Sequence, residues 1–536
     1  MPWHQTYDPL HNAVLSTAVA SIPVVVLLVL IATGKLPIHR AALVALALAL
    51  GVACFGYGMP VQTAGMAAVY GAAYGLLPIG WMILNILFLH RLTVEKGWFD
   101  VLKGQLARIA PDPRVQIILI AFCFGAFFEG TAGFGAPVAV TAALLMQLGF
   151  APLQACGVSL IANTAPVAFG SLGTPLIALH GVTGIDLFTL SKMAGRQLPI
   201  FSLIIPFWVV AAYSGWRGML GVWPAALTAG LAFAVPQFLV SNYHGPWLVD
   251  IVASLCSIAA LVLLLRVWRP RGSELPIGER HRDAVKCWTP WLLLCAVVFV
   301  WGSPQVKEAL DSFSLVKIEV TALHQGVLRT PPVAMIDAKP EEAVFKLNIL
   351  STTGTGILLV ALVSGLMMGF KPWQLLRLYG STLAKLRLSM LTIATMLALG
   401  YVTKYSGADA TLGLALARTG WLYPFFSAML GWLGVALTGS DTASNVLFGS
   451  LQTVTAQQIG VSPVLLATAN STGGVMGKMI DAQSIVVAST ATGWFGHEGK
   501  ILRYVFVHSI VLAALVGILV MLQAYVSPFT EMVVKP

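Results

Sequence analysis

Charge is what this chain has least of. Its 536 residues carry 31 Lys and Arg and 21 Asp and Glu, 10% in all, where soluble chains hold about 25%. With 58% hydrophobic residues and a mean hydropathy of +0.85, a string of soluble domains is excluded and a membrane protein is indicated. Cysteine is sparse too. Cys54, Cys123, Cys156, Cys256, Cys287 and Cys295 show no paired spacing, and all but Cys287 lie in apolar runs, so neither a disulfide framework nor a zinc site is expected. Catalytic motifs are missing: there is no HExxH and no GxSxG. The run Gly473 to Lys478 has Thr472 where a phosphate loop needs its first glycine and Met479 where it needs Ser or Thr, which argues against an ATPase. No cofactor, no metal and no enzymatic activity are expected. The net charge of +10 is spread over short gaps between apolar runs, so it reads as topology rather than as a nucleic-acid surface. The leader before the first apolar run has no Lys or Arg, unlike a signal peptide, so that run is read as a helix that stays.

What is present is a series of apolar runs long enough to cross about 30 Å of hydrocarbon at roughly 20 residues each. Ten plain spans are expected near 12–33, 41–58, 64–89, 198–214, 219–241, 247–266, 288–302, 348–369, 388–403 and 504–527. Four further stretches, 115–148, 155–190, 421–448 and 463–495, are too long or too interrupted by Gly, Pro and polar residues to be simple spans. The basic stretch 371–387 reads as an amphipathic helix on the inner surface. If 115–148 and 421–448 are re-entrant hairpins and the N-terminus is outside, twenty Lys and Arg fall on inside loops against five on short outside segments.

Two halves resemble each other at an offset of 307 to 311 residues. Gly97–Arg108 matches Gly407–Arg418, Gly130 matches Gly439, Pro152 matches Pro463, Asn163 matches Asn470, and Gly184 and Arg196 match Gly493 and Arg503. In the first copy the helix at 64–89 leaves into a basic loop, whereas in the second the helix at 388–403 is entered from one, so the copies are expected to be inverted. The expected fold is therefore an all-α polytopic membrane protein of two inverted repeats, each with a re-entrant hairpin and a broken helix, about 12 spanning helices plus 2 hairpins. The first repeat is 1–218, the linking helices and a basic inside loop are 219–287, and the second repeat is 288–536 with an external polar insertion at 303–347. Inverted repeats with broken helices place their site near the bilayer midplane, which is a transporter's architecture.

The breaks carry the chemistry. Backbone exposed at membrane depth is tolerated only where it lines a protein cavity, and free N–H groups at a helix start attract anions. The first hairpin breaks at Glu129–Pro137 and offers Gly130, Thr131, Gly133 and Gly135; the second breaks at Thr438–Asn445 and offers Gly439, Ser440, Thr442 and Asn445. The broken helices add Asn163, Thr164, Ser171 and Thr174 in one half, and Asn470, Ser471, Thr472 and Lys478 in the other. These are the candidate substrate-binding residues. Of the acids, only Glu129, Asp441 and Asp481 are expected to lie deep, each costing about 2.5 to 3.5 kcal/mol at the bilayer centre, so they are the candidates for proton coupling. Lys478 either pairs with Asp481, three residues on, or meets an anionic substrate. His180, His324, His497 and His508 are isolated and read as interfacial or core residues.

The run AFFEGTAGFGAPVAV (Ala126–Val140), then GVSLIANTAPVAFGSLGTP (Gly157–Pro175), TGSDTASNVLFG and ANSTGGVMGKMIDAQS, closely resembles the bacterial L-lactate permease family of the ion-transporter superfamily. The likeness spans nearly the whole chain. It implies a carrier of the cytoplasmic membrane that takes up L-lactate, often also D-lactate and glycolate, with protons, by an elevator-like movement of the hairpin regions. The partners implied are a small monocarboxylate, protons and the lipid bilayer, with no nucleic acid. Such an anion moves inward against about 2.3 kcal/mol per 100 mV of inside-negative potential, which a co-transported proton cancels. A Na+-coupled carrier of another small carboxylate and an anion channel remain as alternatives.

Overall fold

The computed structural model describes residues 2–33, 36–101, 110, 112–131, 136–270, 284–301, 304–334, 339–494 and 497–535. Within lipid every backbone donor and acceptor must be satisfied inside its own segment, so apolar runs become helices. In chain order they are α1 (Ala13–Thr33), α2 (Ile38–Gly51), α3 (Val61–Tyr74), α4 (Trp81–Glu95), α5 (Pro113–Thr131), α6 (Ala136–Gln147), α7 (Pro152–Ala162), α8 (Gly170–Thr183), α9 (Leu187–Leu220), α10 (Trp223–Tyr243) and α11 (Val249–Val267). The second half continues with α12 (Ala284–Trp301), α13 (Pro304–Ser314), α14 (Thr353–Met367), α15 (Pro372–Ser406), α16 (Ala408–Ala417), α17 (Tyr423–Thr438), α18 (Asp441–Gln458), α19 (Pro463–Gly477), α20 (Ala482–Ala491) and α21 (Glu498–Tyr525).

Among the described residues, eight helical segments are long and apolar enough to cross a bilayer, and the pair α7 with 167–183, bent by 62°, makes a ninth. Eight of the twelve expected spans are among these nine, the first hairpin arm being the other; the described apolar stretches near three expected spans are shorter (Ala13–Leu27, Lys286–Val298 and Thr353–Met367), and 463–495 gives no helix of that length. The first hairpin arm, α5, is 19 residues long, enough to cross by itself, and 94% of it is buried. Protein rather than lipid surrounds it: its Phe128 packs on Phe99 and His90, and its Phe127 on Trp291. The basic stretch expected as a separate surface helix is instead continuous with the next span, since α15 runs unbroken for 35 residues.

Element order repeats in the two halves: a buried hairpin (α5/α6, α17/α18), then a helix interrupted midway (α7/α8, α19/α20), then a long span (α9, α21). The second hairpin turns at Gly439, whose φ of 72° lies in the left-handed region that favours glycine. Small residues bring α17 against α19 backbone to backbone: a methyl on Gly431 would strike the Asn470 carbonyl, and one on Gly473 would strike Ala428. In the first half the interruption is a left-handed turn at Ser171, Leu172 and Gly173, with φ of 44°, 57° and 79°.

The polar stretch 303–347 is a small α/β cap rather than a loop. It holds α13, β2 (Val316–Glu319) antiparallel to β4 (Val344–Leu347), and β3 (Val327–Leu328), which pairs in parallel with β1 (Trp3–His4) near the N-terminus. Gln5 Nε2 donates to the Lys404 and Tyr405 carbonyls at 3.0 and 2.9 Å, so cap, N-terminal strand and the end of α15 share one face. Elsewhere, Arg91 of α4 reaches Ser381 and Thr382 of α15 at 3.0 and 2.7 Å, joining the two halves, and Arg114 reaches the Gly218 carbonyl at 3.1 Å within the first.

Candidate functional site

Glu129 of α5, the turn of the second hairpin and the two broken helices meet around one cavity of about 370 Å³. It extends from His39 and Leu388, beside the basic loops, to Glu129, Asp441 and Lys478 at its buried end. Ser171 and Thr174 line it from α8, and Gly439, Ser440 and Thr442 line it from the second hairpin. Gly133 and Gly135 lie outside the described residues.

Each acid is housed against a glycine. Glu129 Oε1 lies where a methyl on Gly170 would approach to 2.7 Å, and Asp441 Oδ1 packs on Gly474 in the same way. Asp441 Oδ2 accepts from the Ser471 hydroxyl at 2.5 Å and from Asn445 Nδ2 at 3.5 Å. Ser440 caps α18 by accepting the Ala443 N–H at 3.2 Å, which leaves the helix start facing the cavity with Thr442 beside it. Lys478 is 6% exposed; its Nζ donates to the Gly439 carbonyl at 2.6 Å and stands 3.4 Å from Asp481 Oδ2. Both expectations for Lys478 are thus compatible with its position, because it pairs with Asp481 and also lines the cavity.

Several candidates are turned away from the cavity and satisfied elsewhere. Asn470 donates to Asn445 Oδ1 at 2.9 Å and accepts from Gln452 at 3.2 Å; Thr472 donates to Gln197 Oε1 at 2.7 Å. Thr131 and Thr164 bond back to their own helices at Phe127 and Ile161. Asn445 Nδ2 also reaches the Pro175 carbonyl at 3.1 Å, stitching the second hairpin to α8. Gly130 packs on Asp250, and Asn163 lies behind Glu129. Asp481 is fully buried and accepts the Ser484 N–H at 2.7 Å.

Sequence reasoning missed His39, Ser389 and Thr392, which line the cavity from otherwise plain helices. It also placed too few acids in the interior. Asp250, 1% exposed, and Asp409, 5% exposed, are buried alongside the three expected ones. Each sits in the first turn of its helix, where a charge ordinarily belongs to the membrane surface, but here the hairpin and the cap cover those ends.

A family model described as L-lactate permease matches residues 16–527. The chain belongs to the L-lactate permease family. Its relatives match end to end: "Glycolate permease GlcA" of Escherichia coli (strain K12) is 46% identical over 99% of this chain and 100% of its own length. An "L-lactate permease" of the same strain is 45% identical over 98% of both chains, and one of Bacillus subtilis (strain 168) is 44% identical over 98% and 99%. Membership in the permease family makes the chain a transporter and a multi-pass protein of the bacterial inner membrane.

Proposed function

We propose that this permease takes up lactate or glycolate, small 2-hydroxycarboxylates, together with protons, and that the cavity between Glu129 and the second hairpin turn is where it holds them. The observation that carries this reading is the convergence of Lys478, the α18 start and the hydroxyls of Ser171, Thr174, Ser440 and Thr442 on one 370 Å³ space, in a chain 44–46% identical to lactate and glycolate permeases. Pockets for small ligands run from about 300 to 1,000 Å³, so this one suits a small molecule and a few waters. The carboxylate is held by Lys478 and the α18 amides, and the 2-hydroxyl by the serine and threonine hydroxyls. Glu129 and Asp441 face the same space, and an uncompensated carboxylate at that depth is costly enough to favour proton uptake. The two halves are read as inverted copies that exchange access to this site between faces.

Reconstituted protein tests it. A pH gradient, outside acid, is expected to drive accumulation of labelled L-lactate, saturable and competed by glycolate. Glu129→Gln or Asp441→Asn is expected to abolish accumulation by at least tenfold. Full coupling in both variants, or linear non-saturating flux as from an anion channel, would overturn the reading.

A further inference from the structure

Behind Glu129, away from the cavity, lies a buried polar cluster that the described residues leave short of hydrogen bonds. Asp250, in the first turn of α11, is 1% exposed, and neither carboxyl oxygen has a hydrogen-bond partner. Glu129 Oε2 is likewise unpartnered. Asn163, 2% exposed at the end of α7, sets its side-chain amide against Glu129. The hairpin seats tightly here: a methyl on Gly130 would lie 2.9 Å from Asp250 Cβ and 3.1 Å from Ile251 Cγ1. Gly130 is next to Glu129 in the chain, so Glu129 and Asp250 flank the seam between α5 and α11, within reach of each other's charge.

The charged surroundings of this pair are few. Glu129 is faced by Lys478 and Asp481 from the second half, and Asp250 by Glu129. His90, on α4, meets the adjacent Phe128 edge-on at 5.9 Å, and Asp441 stands elsewhere on the cavity wall. Lys478 is already engaged with Asp481 and the Gly439 carbonyl. Two adjacent buried carboxyls without a cation of their own cannot both be ionised; one proton held between them removes the conflict and lets one acid donate to the other.

We propose that Glu129 and Asp250 share one proton, so that Asp250 is a second station of the coupling proton and Asn163 the amide that hydrogen-bonds the pair. The proposal rests on the proton-coupled reading above. The step is an exchange of one proton: Glu129 carboxylic acid and Asp250 carboxylate become Glu129 carboxylate and Asp250 carboxylic acid. Glu129 lines the cavity and Asp250 does not, so the transfer moves the proton between the substrate space and the packed start of α11. From there the chain leads to Trp247, which borders a separate pocket on the face of the cap. The ligand at this site is a proton, and the Asn163 amide beside Glu129 is a group that can hydrogen-bond either protonation state of that carboxyl.

Purified full-length protein in proteoliposomes decides it, with two readouts on each sample: accumulation of labelled L-lactate driven by a pH gradient, and exchange of labelled for unlabelled L-lactate without any gradient. For Asp250→Asn the ratio of accumulation to exchange is expected to fall at least tenfold, whereas Asp250→Glu, which keeps a carboxyl, is expected to stay within about threefold of the wild type. A wild-type ratio in Asp250→Asn overturns the proposal, as does a parallel loss of both activities in Asp250→Asn and Asp250→Glu, the mark of a packing role. A wild-type protein driven by a sodium gradient and indifferent to pH overturns the proton assignment and with it the coupled reading. A coupled wild type with a coupled Asp250→Asn sinks only the inference about Asp250.

Discussion

Lys478 is where pairing and substrate binding are separable by experiment. Its Nζ lies 3.4 Å from Asp481 and 2.6 Å from the Gly439 carbonyl, and Asp481 is wholly buried. Removing the ammonium alone, as in Lys478→Met, leaves that carboxylate uncompensated, at a cost of about 3 to 5 kcal/mol for a broken buried pair. Loss of transport in the single variant therefore says nothing about substrate. The double variant Lys478→Met/Asp481→Asn removes both charges while the amide oxygen of Asn still accepts the Ser484 N–H that Asp481 Oδ1 now takes at 2.7 Å. Stability is expected to return in the double variant, read as the midpoint of thermal unfolding in detergent. Transport is not. A charge-assisted hydrogen bond to a carboxylate is worth about 1.5 to 3 kcal/mol, so without Lys478 the KM for L-lactate is expected to rise about 10- to 150-fold. A double variant as stable as the wild type and with an unchanged KM would refute substrate contact and leave Lys478 as the partner of Asp481 alone.

Two further outcomes follow from local geometry. Gly170→Ala sets a methyl 2.7 Å from Glu129 Oε1 and 3.2 Å from Glu129 Cγ, an overpacking worth about 1 to 3 kcal/mol that the side chain relieves by moving. Proton-driven uptake is expected to fall while the protein stays folded, and undiminished accumulation would show that Glu129 need not sit there. At the start of α5, Asp112 accepts the Arg114 N–H at 2.8 Å and pairs with its guanidinium at 2.7 Å. Burial pushes the Asp112 carboxyl up, but the Arg114 hydrogen bonds and charge outweigh it and hold the group below the usual carboxylate range. A depressed folded value stabilises the protein above about pH 4, where the unfolded carboxyl also ionises, and the benefit is lost as pH falls through the lower folded value. Asp112→Ala is expected to destabilise the protein by about 1 kcal/mol at pH 7 through the lost cap, and by less near pH 3; equal losses at both would contradict the assignment.

The breaks were legible in the sequence because lipid forbids them unless something is gained: Gly439, Ser440 and the Ser171–Gly173 turn stand out as polar or flexible interruptions of apolar runs. Ser171, Thr174, Ser440, Thr442 and Lys478 do meet Glu129 and Asp441 around one cavity. What could not be read was direction. Asn470, Ser471 and Thr472 carry the same chemistry as Ser440, but their helix faces put them onto Gln452, Asp441 and Gln197. A hydroxyl's spacing along the chain does not say whether it will meet ligand or neighbour. Asp250 was hidden for the opposite reason. Its position at a helix start looks like a surface position, and only the packing of Gly130 against it reveals an interior one.

A second cavity, of about 530 Å³, approaches from the face of the cap between Tyr70, Tyr74, Lys307 and Lys404. It meets the first nearly end to end. On α15 the first cavity reaches Leu397 and the second Tyr401, one helical turn or about 6 Å apart; on α8 the corresponding limits are Pro175 and Ile177. Between them, Tyr74 donates to the Ile177 carbonyl at 3.3 Å, and Tyr401 packs edge-on against Tyr70 at 5.0 Å. A channel would join these spaces by a continuous path, and here packed side chains close it. On the proposed reading, an anion held beside Lys478 reaches the other face only if these packed side chains part. The left-handed break at Ser171–Gly173 and the close approach of Gly71 and Gly75 to the α15 backbone lie along this wall.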